Sequence, residues 1–192
     1  AVETAAVLPQ QLDTVIAPLI PKETNGYRDI ALFPGIVRLC TKARVPVCRQ
    51  WERDNDRAFF AAGQARGAPD VVWRTSVKCG RAAADQLEAG AVLWDMTAFF
   101  QMIRHGRLLN RAAATGFHVG LARLAIGLYK CERRLRLGRD VAHNGVTPNR
   151  GVAPGCSFAT TMVKVYCLAA FDRVVELHPH VDFDIYIDDL QM

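Results

Sequence analysis

The strongest constraint on this 192-residue chain is a pair of short apolar segments that each end in aspartate. In the first, the run AVLW leads directly into Asp95. In the second, residues 183–187 alternate apolar and polar side chains and are followed by Asp188 and Asp189. Such alternation is typical of a strand, and consecutive aspartates predict a hairpin turn. Acids at the ends of buried strands are unfavourable without a counter-charge, which bound cations supply. The sequence therefore predicts strands that each deliver acidic side chains.

The remaining chain mixes helical and strand patterns, so we predict an α+β fold in one domain. AVLW is fully apolar and is expected to be a buried strand. A helix that begins near residue 36 is expected to break at Pro46. No repeat or flexible linker indicates a boundary. The other predicted helices are 74–89, 99–113, 117–130 and 157–177, and the other predicted strands are 26–33 and 131–138.

Charge is distributed unevenly, although the net charge is only +5. Residues 101–150 contain ten Lys or Arg against two acids, whereas residues 151–192 contain two against six. A basic stretch beside an acidic one suits a protein that grips a phosphate backbone near a carboxylate-bound metal. A solvated basic face is the equally simple alternative.

Six cysteines occur without any C-x-x-C pair, which argues against a zinc site or a disulfide scaffold. We therefore expect reduced thiols in an intracellular protein of the cytoplasm or nucleus. No apolar run approaches the roughly 18 residues of a membrane span, so no membrane partner is expected. His178 and His180 lack a third ligand nearby in the sequence and are interpreted as structural.

Paired acids on separate strands are the ligands that nucleotidyl transfer needs. This chemistry uses two divalent cations about 3.5–4 Å apart, and magnesium prefers carboxylate oxygens. Each acid taken alone has a simpler explanation. Asp95 could cap the following helix, and Asp188 with Asp189 could simply form a turn.

Four segments together resemble the reverse transcriptase family. YIDD (186–189) is similar to its Y-x-D-D box, DMTAFF (95–100) to an earlier aspartate box, and RGVAPGCSFATT (150–161) to its glycine-rich segment. IPKETNGYRDIAL (20–32) resembles the fingers hairpin, and the residues that follow it are similar to the non-long-terminal-repeat retrotransposon and group II intron branches. The resemblance covers about 20–192. It implies a right-hand polymerase with an antiparallel palm sheet packed on helices. About 1–90 would be fingers-like, and about 91–192 would be palm with further fingers elements, truncated before the thumb.

The resemblance implies an RNA-directed DNA polymerase that works on an RNA template, a DNA primer and deoxynucleoside triphosphates. Asp95 and Asp188 would ligate two Mg²⁺ ions, with Mn²⁺ as a possible substitute. Asp189 would be a secondary acid, and Tyr186 would lie beside the primer terminus. The resemblance says nothing of the oligomeric state, the template or the target site.

Five further residues are implied to bind the nucleotide. Lys22 and Arg28 would neutralise the triphosphate, and Phe100 would exclude a ribose 2′-hydroxyl. Gly151 and Gly155 would let the backbone approach the template and nucleotide. Without the resemblance, we would interpret Phe100 as a core residue and Lys22 and Arg28 as solvated charges. Both glycines would be interpreted as turn residues.

Two departures leave alternatives open. Pro154 stands where many family members have Gln near the templating base. The chain also ends shortly after the YIDD box, so we expect a fragment that is inactive alone. One alternative is an inactive or domesticated RNA-binding palm. Another is a viral RNA-dependent RNA polymerase, but Phe100 stands where that class has a second acid.

Overall fold

The chain forms two compact units. One consists of Ala1–Glu52 with Phe100–Ala169 and is called the first unit, and the other consists of Arg53–Phe99 with Ala170–Met192 and is called the second unit. The chain passes from one unit to the other at three points, and each point lies within a helix. This explains why the sequence shows no linker. The division into fingers and palm stays a prediction. The computed structural model describes residues 8–23, 25–62, 66–88, 90–186 and 189–191, with residues 95 and 189–191 described by their backbone only.

The first unit contains a four-stranded sheet of order β2-β1-β4-β5. Strand β1 pairs with β4 in parallel, and the other pairs are antiparallel. Alternate residues Val15 and Ala17 are buried, so one face of the sheet covers the core. The predicted strand 131–138 is confirmed, whereas only part of 26–33 is regular strand. The bounds are Thr14–Pro21 (β1), Tyr27–Asp29 (β2), Glu132–Leu137 (β4) and Asp140–Val141 (β5).

Helix α1 (Gly35–Asp54) continues through Pro46, so the predicted break there is wrong. Proline inside a helix costs about 3 kcal/mol because it removes a hydrogen bond and crowds the preceding turn. One buried face of the helix offsets that cost, and its members are Val37, Thr41, Cys48 and Trp51. The Trp51 indole also donates to the Thr115 carbonyl at 2.9 Å.

The predicted helix 99–113 is two helices, α3 (Phe99–Met102) and α4 (His105–Ala114). Two backbone carbonyls at the break are used by the glycine-rich segment instead of by the next helical turn. The Phe100 carbonyl accepts from Val152 N at 2.8 Å, and the Ile103 carbonyl accepts from Gly151 N at 2.7 Å.

Helices α5 (Val119–Tyr129) and α6 (Ala159–Leu177) confirm the predictions over 117–130 and 157–177. Most of α5 is buried, whereas its one charged residue, Arg123, is exposed. At the start of α6, Lys164 is buried and its Nζ lies 3.0 Å from Glu52 Oε2. The Thr161 hydroxyl also bonds the Glu52 carboxylate. Hence a charged pair fixes α1 to α6 within the first unit.

The second unit contains a three-stranded antiparallel sheet of order β3-β7-β6. Its strands are Leu93–Asp95 (β3), Asp184–Tyr186 (β6) and Asp189–Gln191 (β7). Strand β3 lies at an edge, and Leu93 is 79% exposed. The expectation that AVLW is buried is therefore wrong. An apolar run predicts a strand, but it does not predict whether other strands or helices pack against that strand.

Helix α2 (Ala68–Ala84) begins six residues before the predicted 74–89 segment. Pro69 in its first turn suits a helix start, and Asp70 Oδ2 accepts from Gly67 N at 2.6 Å. The second unit also contains a cluster of aromatic rings that includes Phe59, Phe171 and Phe183. This cluster forms the core of the second unit.

No helix in the described part of the chain is long and apolar enough to cross a membrane. The six cysteines are all free thiols, four of them buried.

Candidate active site

The backbone of the second unit brings two predicted acids together. In the β3–β7 pair the Cα atom of Asp95 is opposite that of Asp189, and in the β6–β7 pair Tyr186 is opposite Asp189. Strands β6 and β7 pair antiparallel, as the predicted hairpin requires. Asp188 lies outside the described residues. Two of the three predicted acids, Asp95 and Asp189, thus lie opposite each other in this sheet.

This register suits a cation site. Like charges directly opposite each other destabilise an antiparallel pair, and a bound cation removes that cost. Carboxylate oxygens are the ligands that magnesium prefers. A Mg²⁺ site that these acids share stays a prediction. Elsewhere among the described side chains, no group of three or more His, Cys, Asp or Glu could hold a metal ion.

Asp184 is a functional candidate that the sequence pattern missed. The alternating pattern of residues 183–187 predicts that Asp184 and Tyr186 lie on one polar face of the strand. In the structure Asp184 is buried, whereas Tyr186 is only partly buried. Arg74 Nη2, from α2, lies 2.6 Å from Asp184 Oδ1. Burial raises the pKa of Asp184, while Arg74 and Lys78 act in the opposite direction. Nothing in the sequence signals this pair, because its members lie far apart in the chain.

Strand β6 is also held by the backbone of the segment that precedes α2. Ile185 N donates to the Phe59 carbonyl at 2.8 Å, and Ala61 N donates to the Ile185 carbonyl at 2.9 Å. The strand that leads into the acidic hairpin is therefore fixed by an ion pair and by backbone hydrogen bonds.

In the first unit, both predicted glycines adopt positive φ and closely approach protein backbone. At Gly151 (φ +94), an added Cβ would lie 3.1 Å from the Gln101 Cα atom. At Gly155 (φ +93), it would lie 2.8 Å from the Ala31 carbonyl oxygen. Beside it, Ala31 N donates to the Pro154 carbonyl at 2.8 Å. The glycine-rich segment thus joins the Phe100 turn to the chain that follows β2. An approach to template or nucleotide stays a prediction.

We expect Gly155→Ala to lower the free energy of unfolding of the 192-residue chain by about 2–3 kcal/mol. The cost combines a strained positive φ with a clash against backbone that cannot move aside. Gly106→Ala is the matched control, because a Cβ there meets nothing within 4 Å. Urea denaturation measures both, and equal stability of the two variants would contradict the expectation.

His105 supports the glycine-rich segment from α4. It is buried, and its Nε2 lies 2.8 Å from the Gly151 carbonyl oxygen. Since a carbonyl only accepts, Nε2 carries the proton, and Nδ1 has no hydrogen-bond partner among the described residues. Burial lowers the pKa of His105 below its ordinary value of 6.5, and Lys130 and Arg133 lower it further, against the opposing bond to Gly151.

The lowered pKa of His105 predicts that stability falls in mild acid. The unfolded chain takes up a proton at His105 near its ordinary pKa, before the folded chain does. The contribution of neutral His105 to the free energy of unfolding is complete above about pH 6.5. It is lost as the pH falls toward the pKa of His105 in the folded chain. Urea denaturation between about pH 7.5 and 5.5 should show a weaker pH dependence in His105→Gln than in the exposed control His143→Gln. Identical profiles would refute the assignment.

The predicted triphosphate ligands lie on the hairpin of β1 and β2. Arg28 is opposite Ile20, and Lys22 N donates to the Gly26 carbonyl at 3.0 Å. Since Lys22 follows Ile20 by two residues, both cations project from one face of the hairpin. Both are exposed, and Phe100 is partly buried. Their contacts with a nucleotide stay predictions.

The fold is found in solved telomerases. The chain is similar to apo telomerase from Candida tropicalis truncated from its C-terminal domain, with a TM-score of 0.64 and 11% identity over 96% of this chain and 44% of that one. It is also similar to telomerase from Candida albicans in complex with a TWJ fragment of telomeric RNA, with a TM-score of 0.67 and 11% identity over 96% of this chain and 39% of that one.

These comparisons concern the fold, because the identities are low. The chain spans less than half the length of either telomerase chain. No protein-family model matches the sequence. No curated protein sequence matches it either. The chain therefore has an α+β fold that it shares with part of telomerase, a reverse transcriptase-related enzyme.

Proposed function

We propose that the chain is the fingers and palm portion of a retroelement RNA-directed DNA polymerase. The observation that carries the proposal is the register of Asp95 opposite Asp189, the residue that follows Asp188 in the sequence. The telomerase-like fold supports it, because telomerase is reverse transcriptase-related. The retroelement branch is supported by the sequence motifs alone.

In this proposal the three acids hold two Mg²⁺ ions at the primer 3′-hydroxyl. When bound, the ions activate that hydroxyl and neutralise charge on the transferring phosphoryl group. Asp95 and Asp188 supply the ligands, and Asp189 adds negative charge beside them. Tyr186 lies opposite Asp189 in the sheet, which is consistent with its proposed place at the primer terminus. Arg74 and Asp184 fix the strand on which Tyr186 lies.

Primer extension tests this proposal. The product of the full open reading frame should extend oligo(dT) on poly(A) with dTTP, and magnesium or manganese should be required. Absence of extension under both metals, in a folded protein that still binds the template–primer, would contradict it. That result would favour the alternative of an RNA-binding palm, to which Pro154 in place of the usual Gln points.

Sugar discrimination tests Phe100 separately. We expect Phe100→Ala to raise ribonucleotide incorporation relative to deoxyribonucleotide incorporation, since the ring would occupy the space of a 2′-hydroxyl. Steric exclusion of one small group is worth about 1–3 kcal/mol. Phe100→Tyr keeps the ring and should keep the ratio. Single-nucleotide competition measures it, and an unchanged ratio in Phe100→Ala would assign Phe100 to the core.

A further inference from the structure

His105 begins α4, and the two nitrogens of its ring differ in their surroundings. Nε2 donates to the Gly151 carbonyl oxygen at 2.8 Å. Nδ1 is buried and has no hydrogen-bond partner among the described residues. A buried polar atom without a partner costs free energy, and an apolar side chain would fill the same space without that cost. The bond from Nε2 is therefore what distinguishes His105 from an ordinary core residue.

That bond reaches the Phe100 backbone through one peptide unit, the unit between Gly151 and Val152. The carbonyl of this unit accepts from His105, and its N–H donates to the Phe100 carbonyl oxygen at 2.8 Å. A trans peptide unit is planar, and its C=O and N–H point in opposite directions. The unit therefore acts as a rigid spacer between the His105 ring and the Phe100 backbone.

Close packing strengthens this connection. Gly151 N also donates to the Ile103 carbonyl oxygen at 2.7 Å. A Cβ added at Gly151 would lie 3.1 Å from the Gln101 Cα atom and 3.3 Å from the Phe100 carbonyl oxygen. Groups packed this closely do not shift independently. A displacement of the Gly151 carbonyl would therefore displace the backbone that carries the Phe100 ring.

We propose that His105 is a positioning residue for sugar selection, because its bond to Gly151 fixes the backbone from which the Phe100 ring projects. The inference rests on the proposed function, in which that ring excludes a ribose 2′-hydroxyl. A group that selects substrates by shape has to be held within about 0.5 Å of its working position by the residues around it. His105 supplies that support from a buried position and does not touch the nucleotide.

Competition between dTTP and UTP for extension of oligo(dT) on poly(A) by the full-length enzyme tests the inference. The ratio of the two incorporation efficiencies does not depend on the concentration of active enzyme. A variant that is only partly folded therefore still shows its own ratio, and a purely structural role of His105 would leave the ratio unchanged.

His105→Leu removes the donor, and we expect the preference for dTTP over UTP to fall about tenfold. His105→Asn should behave in the same way, because its shorter amide ends before it reaches the Gly151 carbonyl. His105→Gln places an amide N–H close to the position of Nε2 and should keep most of the preference.

Two further variants separate positioning from general destabilisation. Leu108→Val removes buried volume from the same helix but no hydrogen-bond donor, and it should keep the wild-type preference. Phe100→Ala combined with His105→Leu should have the same preference as Phe100→Ala alone. Both substitutions act through one ring, so their effects should not add.

An unchanged preference in His105→Leu and His105→Asn, in an enzyme whose preference falls in Phe100→Ala, would overturn the inference and leave the proposed function standing. An equal fall in Leu108→Val, or additive losses in the double variant, would also overturn it. Absence of extension by the wild-type enzyme would instead contradict the proposed function, and this inference with it.

Discussion

Primer extension by the full-length enzyme is expected to fall by about 1,000-fold or more in Asp188→Asn and in Asp95→Asn. Losing a carboxylate weakens metal binding and with it the stabilisation of charge in the transition state, which is worth several kcal/mol. Asp189→Asn should lose less, since the resemblance makes it a secondary acid. Single-turnover extension at saturating nucleotide measures the chemical step.

Asp182→Asn is the matched control for these substitutions. It removes the same charge from the same segment, but Asp182 is exposed and pairs with Lys78 at 2.9 Å. Extension by this variant should remain close to wild type. Near wild-type extension by Asp95→Asn would remove the basis for the metal assignment.

Arg74→Gln is expected to destabilise the 192-residue chain by about 2 kcal/mol, because it leaves the buried Asp184 carboxylate without its nearest counter-charge. In the full-length enzyme it should also lower extension, since β6 leads into the acidic hairpin. Urea denaturation and primer extension measure the two effects.

Arg81→Gln on the same helix is the control, because Arg81 is 85% exposed in its side chain and pairs only across one turn with Asp85. Exposed pairs of this kind contribute at most about 0.5 kcal/mol. Equal losses of stability in the two variants would show that the Arg74 pair does not hold β6.

The acidic hairpin was predictable because its information is local. Alternation over 183–187 and two successive aspartates define a strand and its turn within a few residues. Helix α6 was predictable for a similar reason, since its apolar spacing repeats over five turns. The pairing of β3 with β7 joins segments that lie far apart in the chain, and no local pattern predicts it.

The errors lie where distant segments decide the structure. Helix α1 tolerates Pro46 because of a buried face, and the break before α4 arises from bonds to Gly151 and Val152. The burial of Asp184 depends on Arg74 of another helix. The exposure of Leu93 depends on the position of β3 at a sheet edge. None of these contacts has a signature within a short window of sequence.

The central claim is that Asp95 and the aspartates of the hairpin form one metal site, and metal-directed cleavage tests it most directly. Fe²⁺ can replace Mg²⁺ at carboxylate sites, and with ascorbate and peroxide it cuts nearby polypeptide. In the full-length protein we predict cuts near both Asp95 and Asp188. Excess Mg²⁺ and the Asp188→Asn substitution should suppress both. Cleavage at only one of the two segments, or cleavage that Mg²⁺ does not suppress, would contradict a shared site.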